Sequence, residues 1–269
     1  MRTVVHLSDL HFGRIDEALI HPLIETIQQI KPDLLAVSGD LTQRARTTQF
    51  KAAQAFLELL PTPQLIVPGN HDIPAHNLLS RFFQPLDNYR NYITADLQPF
   101  YKDQEIAVMG INTARSLAVK GGRINEAQLA RVREKFWQLP DSITKIVVTH
   151  HPFDLPTGYD EDDLVGRAKS AMEVFANVGV DLFLAGHLHI SHTGYTAARY
   201  KIKGHSALVV QAGTATSTRG RGEANSFNVL RLQHPHIAIE RREWQPKNVS
   251  FALASDEHFR HTPDGWIPA

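Results

Sequence analysis

Short apolar runs recur along the chain at Val4 to Leu7, Leu34 to Val37, Leu65 to Val67, Ile106 to Ile111, Ile146 to Val148, Leu182 to Ala185 and Leu208 to Val210. They are rich in Val, Ile and Leu and continuous rather than alternating, which predicts strands covered on both faces. Patterns of helical period lie between them. Pro22 suits a first helical turn, Leu23, Ile24, Ile27 and Ile30 make the apolar face, and Lys31-Pro32 ends it. Asn125 and Gln128 carry the signature of a capping box ahead of a face of Leu129, Val132, Phe136 and Leu139. Ala168, Ala171, Met172, Phe175 and Val178 form another stripe. The strand, helix, strand rhythm of residues 1 to 70 repeats about every 30 residues, the length of a βαβ unit. Ser226 to Leu232 and Ile237 to Trp244 read instead as antiparallel strands. The expected fold is α/β, with two packed mixed sheets and helices outside.

Two segments and the end of the chain fit this rhythm poorly. Residues 76 to 105 carry Phe82, Phe83, Tyr89, Tyr92, Phe100 and Tyr101 among polar positions, which suits a helical excursion with its own small core, or a lid. Asp154 to Asp163 reads as a solvated acidic loop. Residues 245 to 269 read as a polar C-terminal tail carrying Trp266. With 269 residues and 42% hydrophobic content the chain is expected to form a single domain with a sizeable core.

Charge and cysteine content narrow the chemistry. The formal net charge is zero, so no global basic field argues for nucleic acid, and any attraction for an anionic substrate must be local. The absence of cysteine excludes disulfides, thiolate ligation and a cysteine nucleophile, so a metal here would sit among nitrogen and oxygen donors. No signal-like stretch follows Arg2 and no apolar run approaches the ~20 residues of a membrane span, which makes the cytoplasm the expected location.

Five polar blocks stand immediately after apolar runs: D-L-H at 9 to 11, G-D at 39 to 40, G-N-H-D at 69 to 72, H-H at 150 to 151 and G-H-L-H at 186 to 189. In an open α/β sheet, groups beyond the carboxyl ends of the strands converge even when distant in sequence. That rule gathers Asp9, His11, Asp40, Asn70, His150, His187 and His189, more donors than one metal ordinarily uses. Two divalent ions ~3.5 to 4 Å apart require a shared anionic ligand, and Asp40 is the candidate bridge. A hydroxide bridging the pair would be the nucleophile, its pKa lowered from 15.7 toward ~7 in the best cases. Singly the blocks are weak: Asp9 could cap a turn, and G-N-H-D could be a tight turn, since Gly and Asn tolerate positive φ. G-H-L-H is the strongest, because alternation along an extended segment would put both imidazoles on one side.

The order D-x-H, G-D, G-N-H-[DE], H and G-H-x-H resembles the calcineurin-like metallophosphoesterase family, with the resemblance running from residue 3 to about residue 232. It implies a four-layer α-β-β-α sandwich. Carried over by position, it implies that Asp9, His11, Asp40 and His189 hold a first metal and Asp40, Asn70, His150 and His187 a second, the pair drawn from manganese, iron and zinc. His71 matches the family's histidine near the phosphate, which stabilises the transition state or protonates the leaving oxygen, and Asp72 would orient it. Neighbouring strand residues point oppositely, so only one of His150 and His151 is expected to face the metals. The family pattern selects His150. His151 then reads as a buried, hydrogen-bonded residue or, with Asn112 and Arg219, as a substrate contact; Arg221, near Arg219, is a further basic candidate. The G-N-H-D form, H-H-P and the G-x-I-x-x-x-Q-L segment from Gly122 to Leu129 look most like bacterial class III cyclic nucleotide phosphodiesterases and glycerophosphodiesterases.

The resemblance therefore implies metal-dependent hydrolysis of a small phosphodiester. Phosphomonoesterase activity differs by one substituent that the five blocks do not read. Pyrophosphohydrolysis of a nucleotide-linked lipid precursor is a third variant, disfavoured because those relatives often carry Arg where this chain has His71. A catalytically silent interaction scaffold of the same fold is the reading from a different class, and the intact donor set speaks against it. The aromatic segment 76 to 105 offers a surface for a homo-oligomer.

Overall fold

The structure, a computed structural model, describes residues 1–75, 78–117, 121–220 and 222–269. Its strands are, in chain order, β1 (Arg2–Leu7), β2 (Leu34–Val37), β3 (Gln64–Ile66), β4 (Phe100–Lys102), β5 (Ile106–Ile111), β6 (Thr144–Thr149), β7 (Leu182–Ala185), β8 (His192–Tyr195), β9 (Leu208–Gln211), β10 (Ser226–Gln233), β11 (His236–Gln245), β12 (Ser250–Thr262) and β13 (Gly265–Pro268). The helices are α1 (Ile20–Ile30), α2 (Thr47–Glu58), α3 (Leu78–Phe83), α4 (Asp87–Tyr92), α5 (Glu126–Phe136), α6 (Ala168–Asn177) and the single turn α7 (Thr196–Arg199).

Among the described residues the strands form two mixed sheets. One is seven-stranded in the order β13-β12-β11-β10-β1-β2-β3, the other six-stranded in the order β4-β5-β6-β7-β9-β8. Parallel pairing joins β1, β2 and β3 in the first and β5, β6, β7 and β9 in the second. The parallel strands read as continuous apolar runs because each has two covered faces. Alternate residues go opposite ways. Val4, Ala36, Val108, Val148, Leu184 and Val210 fill the layer between the sheets. Val5, Leu35 and Val37 face the other way, against Leu23 and Ile27 of α1 and Phe50 and Phe56 of α2. Met109, Val147, Phe183 and Val209 meet Leu129 and Phe136 of α5 and Met172 and Phe175 of α6. The result is a four-layer α-β-β-α sandwich.

The capping box ahead of α5 is formed: the Asn125 side chain accepts from Gln128 N–H at 2.9 Å and Asn125 N–H donates to Gln128 Oε1 at 3.0 Å. Residues 245 to 269, read as a tail from their polar pattern, instead supply β12 and β13, with Phe251, Phe259 and Trp266 buried. In the 76 to 105 segment, Tyr89 is fully buried and its hydroxyl donates to the Ile66 carbonyl at 2.9 Å, whereas Phe82 and Phe83 are exposed. His76 and Asn77 of that segment lie outside the described residues. No helix among the described residues is long and apolar enough to cross a membrane.

Candidate metal centre

The five blocks come together at the carboxyl ends of β1, β2 and β3 in one sheet and of β6 and β7 in the other, where the backbone leaves each strand. It leaves by an unusual route. Asp9, His11, Asp40, His187 and His189 all adopt positive φ, between 51° and 74°. Left-handed backbone is uncommon outside glycine, and five such residues at one end of a sandwich hold their side chains inward at a cost in strain. The loops are zipped together. Asp9 N–H donates to the Gly39 carbonyl and His11 N–H to the Asp40 carbonyl. His187 N–H donates to Asp9 Oδ2 at 3.0 Å. A Cβ at Gly39 would strike the Gly69 backbone at 2.7 Å, and one at Gly69 or Gly186 would strike the carboxylates of Asp40 or Asp9, which is why glycine opens three of the blocks.

Two donor groups result, Asp9, His11, Asp40 and His189 in one, His150, His151 and His187 in the other. In the first, His11 Nε2 and His189 Nε2 face each other at 3.2 Å, and Asp9 Oδ1 lies 3.2 Å from His189 Nε2, buried and without a hydrogen bond. In the second, His187 Nδ1 is 3.3 Å and Asn70 Oδ1 3.0 Å from His150 Nε2. Asp40 stands between them: Oδ2 is 3.7 Å from His11 Nε2 and 3.4 Å from His150 Nε2, while Oδ1 accepts from His71 N–H at 2.8 Å. The outer nitrogens are spoken for, His150 Nδ1–H donating to the Ser38 carbonyl at 2.8 Å and His189 Nδ1–H to the Arg219 carbonyl at 3.1 Å. Fixing one ring nitrogen on a carbonyl leaves the other a lone pair directed inward, the usual support of a metal-ligating histidine. Converging oxygen and imidazole donors, one of them an orphaned carboxylate oxygen, fit a divalent cation.

Electrostatics agree with that fit. Burial alone would raise the carboxylates, but the charges of His189 and His150 outweigh it and hold Asp9 and Asp40 below the ordinary aspartate range. Burial would lower His150, yet Asp40 and Asp9 carry it up to about 9. His187 is pushed down to about 3 by burial and then by the His150 charge, against the weaker upward pull of Asp40 and Asp9. The carboxylates thus demand a nearby positive charge.

His71 lies beside the first group, its ring centroid 5.0 Å from that of His11. Its Nδ1–H donates to the Gln43 carbonyl at 2.9 Å and its Nε2 accepts from Arg219 Nη1 at 2.9 Å. With Nδ1–H donating and Nε2 accepting, the ring acts as a neutral imidazole, the form that burial favours by lowering its pKa. The expectation that Asp72 orients this ring is not met. The Asp72 carboxylate accepts from the N–H groups of Leu41, Thr42 and Gly69 and from the Thr42 hydroxyl, binding two loops together. Burial and the Asp40 charge push it up to about 7 against those donors.

Three other expectations change. His187 and His189 share no side of an extended segment; each bends the chain left-handed and joins a different donor group. His151 does not point away from His150, because both follow the end of β6; its ring lies 4.6 Å from that of His187 and its Nδ1 2.8 Å from the Thr113 hydroxyl. It is fully buried and hydrogen-bonded. Gly122 permits this, since a Cβ there would strike the His151 imidazole. Asn112 spends its carboxamide oxygen on Ala114 N–H at 2.9 Å, which gives it a turn role. Arg219 does reach the site, through His71; Arg221 lies outside the described residues.

The acidic stretch is no simple solvated loop. Asp154 is buried and accepts from Arg199 Nε at 2.8 Å, and Asp163 Oδ1 comes within 3.8 Å of His187 Nε2. Asp163, Gln43, Ser38 and Thr113 were invisible to pattern reading, since three act through backbone or second-row contacts and the fourth comes from a distant loop.

Residues 2–191 match the family model described as calcineurin-like phosphoesterase. The chain is 25% identical over 206 residues to the probable glycerophosphodiester phosphodiesterase GpdQ of Arcobacter nitrofigilis, covering 69% of this chain and 71% of that one. It is 24% identical over 205 residues to the 3',5'-cyclic adenosine monophosphate phosphodiesterase CpdA of Escherichia coli K12, covering 69% of each. Among solved structures, a dimetal phosphatase from Danio rerio superposes with a TM-score of 0.69 at 12% identity, covering 97% of this chain and 99% of that one, a likeness of fold.

Proposed function

Because the chain belongs to the metal-dependent calcineurin-like phosphoesterase family and is a hydrolase of phosphoric esters, we propose that it hydrolyses small phosphodiesters, of cyclic nucleotide or glycerophosphodiester type, at a centre holding two divalent cations. The observation that carries this reading is Asp40 Oδ2 between two separate donor groups. Asp9, His11, Asp40 and His189 would hold one ion, and Asp40, Asn70, His150 and His187 the other, with manganese, iron and zinc all suited to such donors. Ions held there would neutralise the phosphoryl oxygens and lower the pKa of water enough to supply a nucleophile near neutral pH.

The chain's own residues handle position and protons. Arg219 donates to a neutral imidazole in this structure. An arriving phosphate is a better acceptor, so its guanidinium can move from His71 Nε2 to a phosphate oxygen. That frees Nε2 to take a proton from the attacking side and pass it to the departing alkoxide oxygen. Gln43 holds the ring by its Nδ1–H throughout.

The names of two relatives support diesters over monoesters. The complete donor set and His71 weigh against a silent scaffold. Turnover by the metal-reconstituted protein of cyclic AMP, a glycerophosphodiester, a nucleotide-linked lipid and a simple monoester tests the reading. At least one of the two diesters should exceed the monoester by roughly tenfold or more in kcat/KM, about 1.4 kcal/mol of transition-state discrimination. A monoester preference, or equal slow turnover of all four, overturns it.

A further inference from the structure

The loops that carry His11 and Asp40 also carry basic groups that the reaction above does not use. Arg14 follows His11 by three residues, and Arg44 and Arg46 follow Asp40 by four and six; all three side chains are exposed. Among the described residues none of them pairs with a carboxylate. Together with Gln43 and Gln49 they wall a cavity of about 290 Å³. Arg44 and Arg46 also line a second cavity of about 400 Å³, whose apolar wall includes Ala45, Pro74 and Pro85.

This cleft is tied to the chemistry on two sides. Gln43, in its wall, holds His71 through its carbonyl. The Arg14 carbonyl accepts from Thr218 N–H at 3.1 Å, and the next residue, Arg219, reaches His71 Nε2. Of the acidic groups nearby, Asp16 caps the Ala18 N–H at 3.0 Å and Asp87 lines the larger cavity. The chain has a formal net charge of zero, so three arginines lining these cavities, with Asp87 the one acidic residue among the described lining of the larger, make a local positive field that an anion would relieve. Guanidinium forks match phosphate oxygens two at a time. The scissile phosphate already has the donor groups and Arg219.

We propose that Arg14, Arg44 and Arg46 form a subsite for a second phosphate, so that the preferred diesters carry a terminal phosphomonoester beyond the scissile bond, as a 5'-phosphorylated dinucleotide does. This rests on the phosphodiesterase reading above. The larger cavity falls in the range of roughly 300 to 1,000 Å³ that accommodates a ligand of nucleoside size.

The manganese-loaded protein is given two diesters that differ only in the terminal phosphate, pApA and ApA. The kcat/KM for pApA should be roughly tenfold or more higher, mostly through KM, as expected for charge-assisted contacts. The advantage should shrink with added salt and nearly vanish in the triple variant Arg14→Gln, Arg44→Gln, Arg46→Gln. Equal values in the natural protein, or an advantage that the triple variant keeps, overturn the subsite and leave the phosphodiesterase reading standing. If neither diester is hydrolysed while monoesters are, the phosphodiesterase reading fails and this proposal with it. Calorimetric titration with adenosine 3',5'-bisphosphate and with 3'-AMP, which lacks only the terminal 5'-phosphate, reads the subsite without turnover: the bisphosphate should bind more tightly, with the difference lost in the triple variant, and equal affinities overturn the proposal. Binding to phosphatidylserine vesicles that the triple variant loses, with no preference for pApA, assigns the arginines to a membrane surface and overturns it too.

Discussion

One imidazole, His71, has its two nitrogens in different service: Nδ1–H is fixed on the Gln43 carbonyl and Nε2 is held by Arg219. The proposed proton transfer uses only Nε2. His71→Ala removes that nitrogen but none of the metal donors, so metal content should stay the same while hydrolysis of a diester with a poor leaving group slows by roughly 10² to 10⁴. A diester releasing nitrophenolate needs less help and should lose less; equal losses on both substrates would remove proton transfer from the residue's role. Asp40 differs because it stands between the two donor groups. Asp40→Ala should abolish turnover and reduce bound metal, measured by elemental analysis of the dialysed protein. A variant with a full metal complement and a near-natural rate would end the bridging assignment.

Loops and strands set those residues, and Asp72 shows how. Three N–H groups and a hydroxyl from the loops after β2 and β3 converge on its carboxylate. Asp72→Ala would leave them buried and unpaired, at roughly 3 kcal/mol or more. Urea denaturation should show that loss together with weakened metal binding, since the same loops carry Asp40 and Asn70. If Asp72 served only to orient His71, kcat would fall with the denaturation midpoint unchanged. The same elements show what could be read in advance. The parallel strands and helices α1, α5 and α6 were legible because their apolar residues keep a single period, and the donor blocks because each combines a strand end with ligating side chains. Strands β12 and β13 were not: Ser250–Thr262 is largely polar and exposed, with Phe251 and Phe259 buried at positions eight apart, and its pairing with β11 is what makes it a strand. The left-handed bends at His187 and His189 were also hidden, because neither is a glycine and only the tertiary contacts of the loop impose them.

The two sheets are fastened at the end of the sandwich away from the metal donors, and there the fold has a pH dependence of its own. Trp266 of β13 belongs to the first sheet, and its indole N–H donates to Asp181 Oδ1 at 2.9 Å; Asp181 Oδ2 accepts from Lys145 N–H at 2.8 Å, at the start of β6 in the second. Burial pushes the Asp181 carboxyl from 3.8 up to about 6, against the opposing pull of these hydrogen bonds and of Lys145. Below about pH 4 the group is protonated folded or unfolded and contributes no pH dependence. As pH rises toward 6 the unfolded chain gives up this proton first, so the folded state binds more protons and stability falls with rising pH. Above about pH 6 the whole of that loss is present, on the order of 3 kcal/mol. Asp181→Asn cannot ionise and keeps one acceptor for the two donors, so it should be less stable than the natural protein at pH 4.5, with a deficit that narrows by pH 7. His205, His234 and His261 titrate near this contact in both proteins, so the informative quantity is the difference between variant and natural chain in urea midpoints across that range. A deficit constant from pH 4.5 to 7 would mean that the buried carboxyl titrates as it does in the unfolded chain, and that the clasp between the sheets is held by its hydrogen bonds alone.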